Sequence, residues 1–137
     1  MHSLKSELHC HNIFSNGHIG SLEPTHDCNI TIPNQLEQAY KVGLDILFVT
    51  NHNTVDGYKQ MLEYKKTHKK FDSIMVYPAE EVTTDNEAHV LVYGITDAIN
   101  PGLTLHEILD EAKKQDAVSI APHPFSLLDA LREDSVY

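Results

Sequence analysis

Five separated stretches of the chain place a histidine or a carboxylate at or beside an apolar run: His9 with His11, His52, Glu81, His89 and His123. Neutral imidazole and carboxylate together make a donor set for zinc, manganese or iron. His9 and His11, two apart in an extended segment, point to one side and can grip a single ion, whereas Cys10 between them points the other way and reads as a small buried residue. A lone His-x-His pair is weak evidence, and any one histidine is more simply a hydrogen-bonded or surface residue. Repetition at five strand-adjacent places, in a chain with 10 histidines, reverses that balance. Glu81 matters because a carboxylate can bridge two cations, and paired cations suit phosphate esters: one helps generate hydroxide while both stabilise the attacking and leaving oxygens. Glu80 alternates to the opposite face, where a solvated or salt-bridged side chain is expected.

Strand-like segments cover residues 4–10, 44–50, 74–79, 89–94 and 117–121, with Leu4 and Leu8 as an apolar face of the first. Helical spacing occupies residues 33–42, capped by Thr31 and stopped by Gly43, then residues 55–69, with Tyr58, Met61, Leu62 and Lys65 on one face. Thr104-Leu105-His106-Glu107 has the capping-box pattern and opens a helix to residue 115, and another helix is expected after Pro124. This order defines an α/β protein with a mainly parallel sheet, in which chemistry collects at the carboxyl ends of strands. His9, His11, His52, Glu81 and His123 fall at such ends. His89 begins its strand instead, so an antiparallel or edge strand is needed to bring it to the same rim. Residues 12–30 form a long connection, expected as a rim or lid.

With 137 residues, the chain has the size of one domain and can bury roughly two thirds of its unfolded surface. Apolar residues at 41% and charged ones at 22% describe a folded chain. The net charge of -10 argues against stable duplex nucleic-acid binding, yet a cation-loaded pocket can still attract a phosphoryl group. No apolar run approaches the roughly 18 residues of a membrane span, and a cytoplasmic location is expected, in keeping with Cys10 and Cys28 as reduced thiols. The basic run from Lys65 to Lys70 reads as a solvated helix end.

Glu7-Leu8-His9-Cys10-His11-Asn12, Val49-Thr50-Asn51-His52-Asn53-Thr54, Ala79-Glu80-Glu81-Val82-Thr83, His89-Val90-Leu91-Val92-Tyr93-Gly94 and Ala121-Pro122-His123-Pro124 resemble, in order, the motifs of the polymerase and histidinol phosphatase (PHP) domain, a family of metal-dependent phosphoesterases. The resemblance covers nearly the whole chain. It implies a distorted seven-stranded (β/α) barrel carrying two to three divalent ions, zinc, manganese or iron. By position, His9, His11 and Glu81 hold one metal, Glu81, His89 and His123 a second, and His52 belongs to a third. The implied activity is hydrolysis of a small phosphorylated metabolite or nucleotide by metal-bound hydroxide, with Glu81 and His52 as the catalytic residues.

Several positions depart from the family pattern. Asn16 stands where many members have Asp, and Asn51 and Asn53 replace aspartates around His52. His18, His26 or Asp27 is available to compensate, although a surface role is the simpler expectation for each. No Asp-x-His pair follows His123, and Arg132 is a surface helix residue or a phosphate anchor. A (β/α) barrel usually needs about 200 residues, so residues 1–137 are expected to form one incomplete, C-terminally truncated barrel domain lacking its closing strands. Residues 127–137 would then pack on an open sheet edge, a route to homo-oligomers. Two rivals stand beside the phosphoesterase: a noncatalytic metal-binding fragment or regulatory domain, and an amidohydrolase-type hydrolase, which also begins with His-x-His but usually bridges its metals with a carboxylated lysine.

Overall fold

The computed structural model describes residues 3–17 and 26–123. The helix expected after Pro124, the run 127–137, Arg132 and His18 lie outside the described residues. Five strands form one curled sheet in the order β1 (Ser6–Glu7), β2 (Ile46–Val49), β3 (Met75–Thr83), β4 (His89–Tyr93), β5 (Val118–Ile120). Among the described residues, three helices, α1 (Ile32–Val42), α2 (Asp56–Thr67) and α3 (Leu105–Lys114), give a mixed α/β architecture.

The expectation of a mainly parallel sheet is corrected. β1 and β2, and β2 and β3, pair parallel, whereas β3 and β4, and β4 and β5, pair antiparallel. The cause is the short connection from Thr83 to His89, which has no room for a crossover helix and folds back as a hairpin. β3 is therefore the hinge of the topology. Its residues 75–78 pair with β2 and its residues 79–83 with β4, and the amide of Gly94 closes on the Pro78 carbonyl where the partners change.

The same strand serves two cores. Val76 packs with Leu36, Leu47, Met61 and Ile74 beneath α1 and α2. Val82 packs with Val90, Val92, Ile95 and Ile108 beneath α3. Each fully buried side chain of this kind stabilises the fold by roughly 1.5–3 kcal/mol relative to exposure. The other face of the sheet is half open: the Phe48 ring lies 5.3 Å from Tyr77 and 5.2 Å from Tyr93, and Met75, Tyr77, Val118 and Ile120 are exposed.

Local signals hold at the helix ends. The Thr31 hydroxyl accepts from the Asn34 amide and Gly43 adopts a left-handed φ of 69°, while Thr104 and Glu107 form the reciprocal capping box of α3. α2 stops at Thr67 rather than residue 69, because Lys69–Phe71 tightens into a 3-10 turn that delivers Phe71 to the first core. β1 is shorter than expected, and Leu4 and Leu8 are 60% and 48% exposed. The supposed apolar face of β1 is thus an uncovered edge.

Candidate metal centre

His9 and His11 leave β1 in a segment that stays registered on β2. The Thr50 amide donates to the Cys10 carbonyl at 3.0 Å, and the Cys10 amide donates to the Thr50 hydroxyl at 2.9 Å. Cys10 turns inward, its thiol reaching the Phe48 carbonyl, and burial with the nearby charge of Glu7 pushes the thiol up to about 12. Its expected role as a buried small residue agrees with these contacts. His52 is set by its amide donating to the Ser15 hydroxyl at 2.9 Å. Glu81 is gripped on both sides of its peptide, its amide donating to the Asn51 carbonyl and its carbonyl accepting from the Asn53 amide, each at 3.0 Å. His89 faces Thr83 across the antiparallel pair, which carries the start of β4 to the mouth formed by the ends of the parallel strands.

Imidazoles from across the sequence converge on one carboxylate. Glu81 Oε2 lies 3.0 Å from His9 Nε2, 2.9 Å from His11 Nε2 and 3.7 Å from His52 Nε2. Its Oε1 lies 3.0 Å from His123 Nε2 and 3.3 Å from His89 Nδ1. All six residues expected at the site are therefore brought together, with Glu81 1% exposed at the centre. The tight donor groups are His9, Glu81 and His123, and His11, His52 and Glu81, their ligand atoms within 4.8 Å of one another. This partition differs from the one implied by the motif resemblance, since it separates His9 from His11.

The donor set fits divalent cations. His9 Nε2 and His11 Nε2 face each other at 3.2 Å, a separation at which two lone pairs repel unless a proton or a cation lies between them. Neutral nitrogen with carboxylate oxygen suits zinc, manganese or iron. Burial opposes ionisation of Glu81, but hydrogen bonds from His11, His89 and His9 and the field of His52 hold its carboxyl far below the usual range. Burial also pushes His52 down to about 4, against the attraction of Glu81, keeping this imidazole neutral and free to ligate. Its Nδ1 is buried without a hydrogen-bond partner.

Asparagines beside the histidines have work of their own. Asn51 Oδ1 accepts from the Asn12 amide and Asn51 Nδ2 donates to Asn12 Oδ1, while Asn53 Oδ1 accepts from the Thr83 amide and its Nδ2 donates to the Thr83 hydroxyl. Each position needs a donor and an acceptor, which aspartate cannot supply. Gln35 completes the brace, accepting from Asn12 and donating to the His11 carbonyl. A glutamine in an amphipathic helix gives no sequence signal for this role. Gly57, in the first turn of α2, comes so close that a Cβ there would stand 2.1 Å from Asn51 Nδ2 and 2.9 Å from Asn12 Oδ1.

Two expectations are corrected. Glu80 is neither solvated nor salt-bridged: it is fully buried, its Oε1 accepts from the Ile99 amide at 2.6 Å, and its Oε2 has no hydrogen-bond partner. Burial pushes it up to about 7 despite that backbone bond. Asp27 is not a plain surface residue, because its Oδ2 meets His11 Nδ1 at 2.5 Å. His26 is exposed and joins neither donor group.

The fold and site define a mixed α/β protein whose sheet mouth gathers a histidine–glutamate cluster able to hold metal. The chain belongs to the family of the uncharacterized protein MJ1587 of Methanocaldococcus jannaschii, with 30% identity over 141 aligned residues that cover 98% of this chain and 75% of the relative. No protein-family profile matches the chain. Among solved structures, PsfC of Pseudomonas syringae superposes with a TM-score of 0.54 and 19% identity, covering 72% of this chain and 48% of that one, a likeness of fold. A Bifidobacterium adolescentis protein named as a candidate metal-dependent phosphoesterase gives a TM-score of 0.48 and 23% identity over 66% of this chain and 28% of that one. The chain thus spans less than half of either solved protein.

Proposed function

We propose that the chain is the metal-holding portion of a PHP-type phosphoesterase acting on small phosphorylated compounds. The observation that carries this reading is the convergence of His9, His11, His52, His89 and His123 on the buried Glu81 carboxylate. His9, Glu81 and His123 would hold one divalent cation and His11, His52 and Glu81 another, with Glu81 shared. When bound, such cations supply positive charge that activates water and offsets the charge developing on a phosphoryl group. Glu81 stays ionised, His52 stays neutral, and the Asn12–Asn51 pair ties together the segments after β1 and β2 that carry His11 and His52. A 420 Å³ cavity between α1 and the sheet, lined by Cys10, Gln35, Ala39, Leu44 and Leu47, reaches the cluster only at His11. Among the described residues no helix is long and apolar enough to cross a membrane.

A second reading, metal held without turnover, is favoured by the open sheet face, where Met75, Tyr77, Val118 and Ile120 stay exposed instead of walling a reaction chamber. That face, with the edges of β1 and β5, also offers a route to self-association. Elemental analysis of protein purified without chelator, joined to a panel of phosphomonoesters and phosphodiesters, separates the readings. About two divalent ions per chain with hydrolysis supports the phosphoesterase. Metal with no hydrolysis supports the second reading, and metal content near zero removes both.

A further inference from the structure

Asn16 stands outside the donor groups, yet both ends of its side-chain amide are engaged. Its Oδ1 accepts from the amides of Asp27 at 2.7 Å and Cys28 at 3.0 Å, and its Nδ2 donates to the Cys28 carbonyl at 2.9 Å. Two acceptances and one donation take three of the four hydrogen bonds an amide can make, and a carboxylate could not make the donated one. The segment held in this way turns Asp27 onto His11, Oδ2 to Nδ1 at 2.5 Å, while the Ser15 hydroxyl bonds Asp27 and accepts from the His52 amide. The opposite ring nitrogen of His11 is the one that faces Glu81 and His9.

We propose that Asp27, delivered by Asn16, is the positioning residue of the centre, holding His11 through a proton on Nδ1 so that its Nε2 aims at the Glu81 mouth. There a bound cation would replace the proton that Nε2 shares with Glu81. A ligating imidazole whose other nitrogen donates to a carboxylate is held in one tautomer and one ring orientation and is a more basic ligand. The proposal rests on the metal-centre reading for its effect on affinity, but the Asp27–His11 pairing stands without it.

The experiment uses the full chain with two readouts. Long-range proton–nitrogen correlation in the metal-free protein reports whether His11 Nδ1 carries a proton, and competition with a chromophoric chelator gives the zinc affinity. In the parent protein Nδ1 is protonated. Asp27→Ala abolishes that signature and lowers zinc affinity by roughly 10–100-fold, the size of effect usual for a partner of a metal-ligating histidine. Asp27→Asn, which keeps an acceptor, restores the Nδ1 signature and part of the affinity. Asn16→Ala changes both in the same direction as Asp27→Ala but less. Asp27 is an exposed residue, so thermal melts of the two Asp27 variants should match the parent. An unprotonated Nδ1 in the parent, or a signature and zinc affinity unmoved by Asp27→Ala, overturns the proposal. A parent that takes up no divalent ion while its Nδ1 signature depends on Asp27 confirms the pairing and overturns the metal-centre reading instead.

Discussion

Glu80 and Glu81 are the same residue type, adjacent on one strand, fully or almost fully buried, and opposite in electrostatic fate. Glu81 faces the mouth, where imidazole nitrogens hold its carboxyl in the ionised form. Glu80 faces the helix side, where one backbone amide meets one of its oxygens and burial pushes it to about 7. The alternation of β3 puts them on different sides, and the groups arriving from distant sequence do the rest. Burial alone therefore says nothing about charge; the donors at hand decide it.

The contrast is broken most severely at Glu81. Glu81→Gln removes the group common to both donor sets, so retained metal should fall to near zero, beyond the roughly 10–100-fold loss typical of an outer partner. Elemental analysis reads this, and full metal retention would show that Glu81 is not shared. Glu80→Gln should leave metal content alone and change pH dependence instead. The folded state keeps the Glu80 proton from the ordinary value of 4.5 up to about 7, while the unfolded chain loses it. In that window the unfolded chain binds fewer protons, so the parent loses stability as pH rises, by about 3 kcal/mol at most in the metal-free protein. Glu80→Gln should remove that slope in denaturant titrations between pH 5 and 8, and an unchanged slope would place the titration elsewhere. A smaller contrast lies among the histidines: His123→Ala should lower zinc occupancy, whereas His106→Ala, on the exposed first turn of α3, should not. Equal losses would show that His123 is not part of the cluster.

Much of this arrangement is legible in the sequence. Ligand types recurring beside apolar runs locate His9, His11, His52, Glu81, His89 and His123, and strand parity chooses Glu81 over Glu80. The mixed sheet is only hinted at, by His89 standing at the start of its segment, because strand direction depends on a connection whose length matters more than its composition. The burial of Glu80 has no local signal, since the amide that meets it belongs to Ile99, far along the chain. Asp27 is hidden for a similar reason. Its placement depends on Asn16 binding main-chain atoms, a use of the amide that residue identity alone does not announce.

Gly57 sets two design goals against each other. Replacing it with alanine should favour α2 as an isolated helix by about 1 kcal/mol, the gain that a propensity scale recommends to anyone seeking thermostability. In place, the new methyl would drive Asn51 off Asn12 and disturb the chain that leads into His52. A more heat-resistant peptide would come at the cost of a poorer cation receptor, so engineering of this protein should spare the one helical position with the most obvious room for improvement on paper.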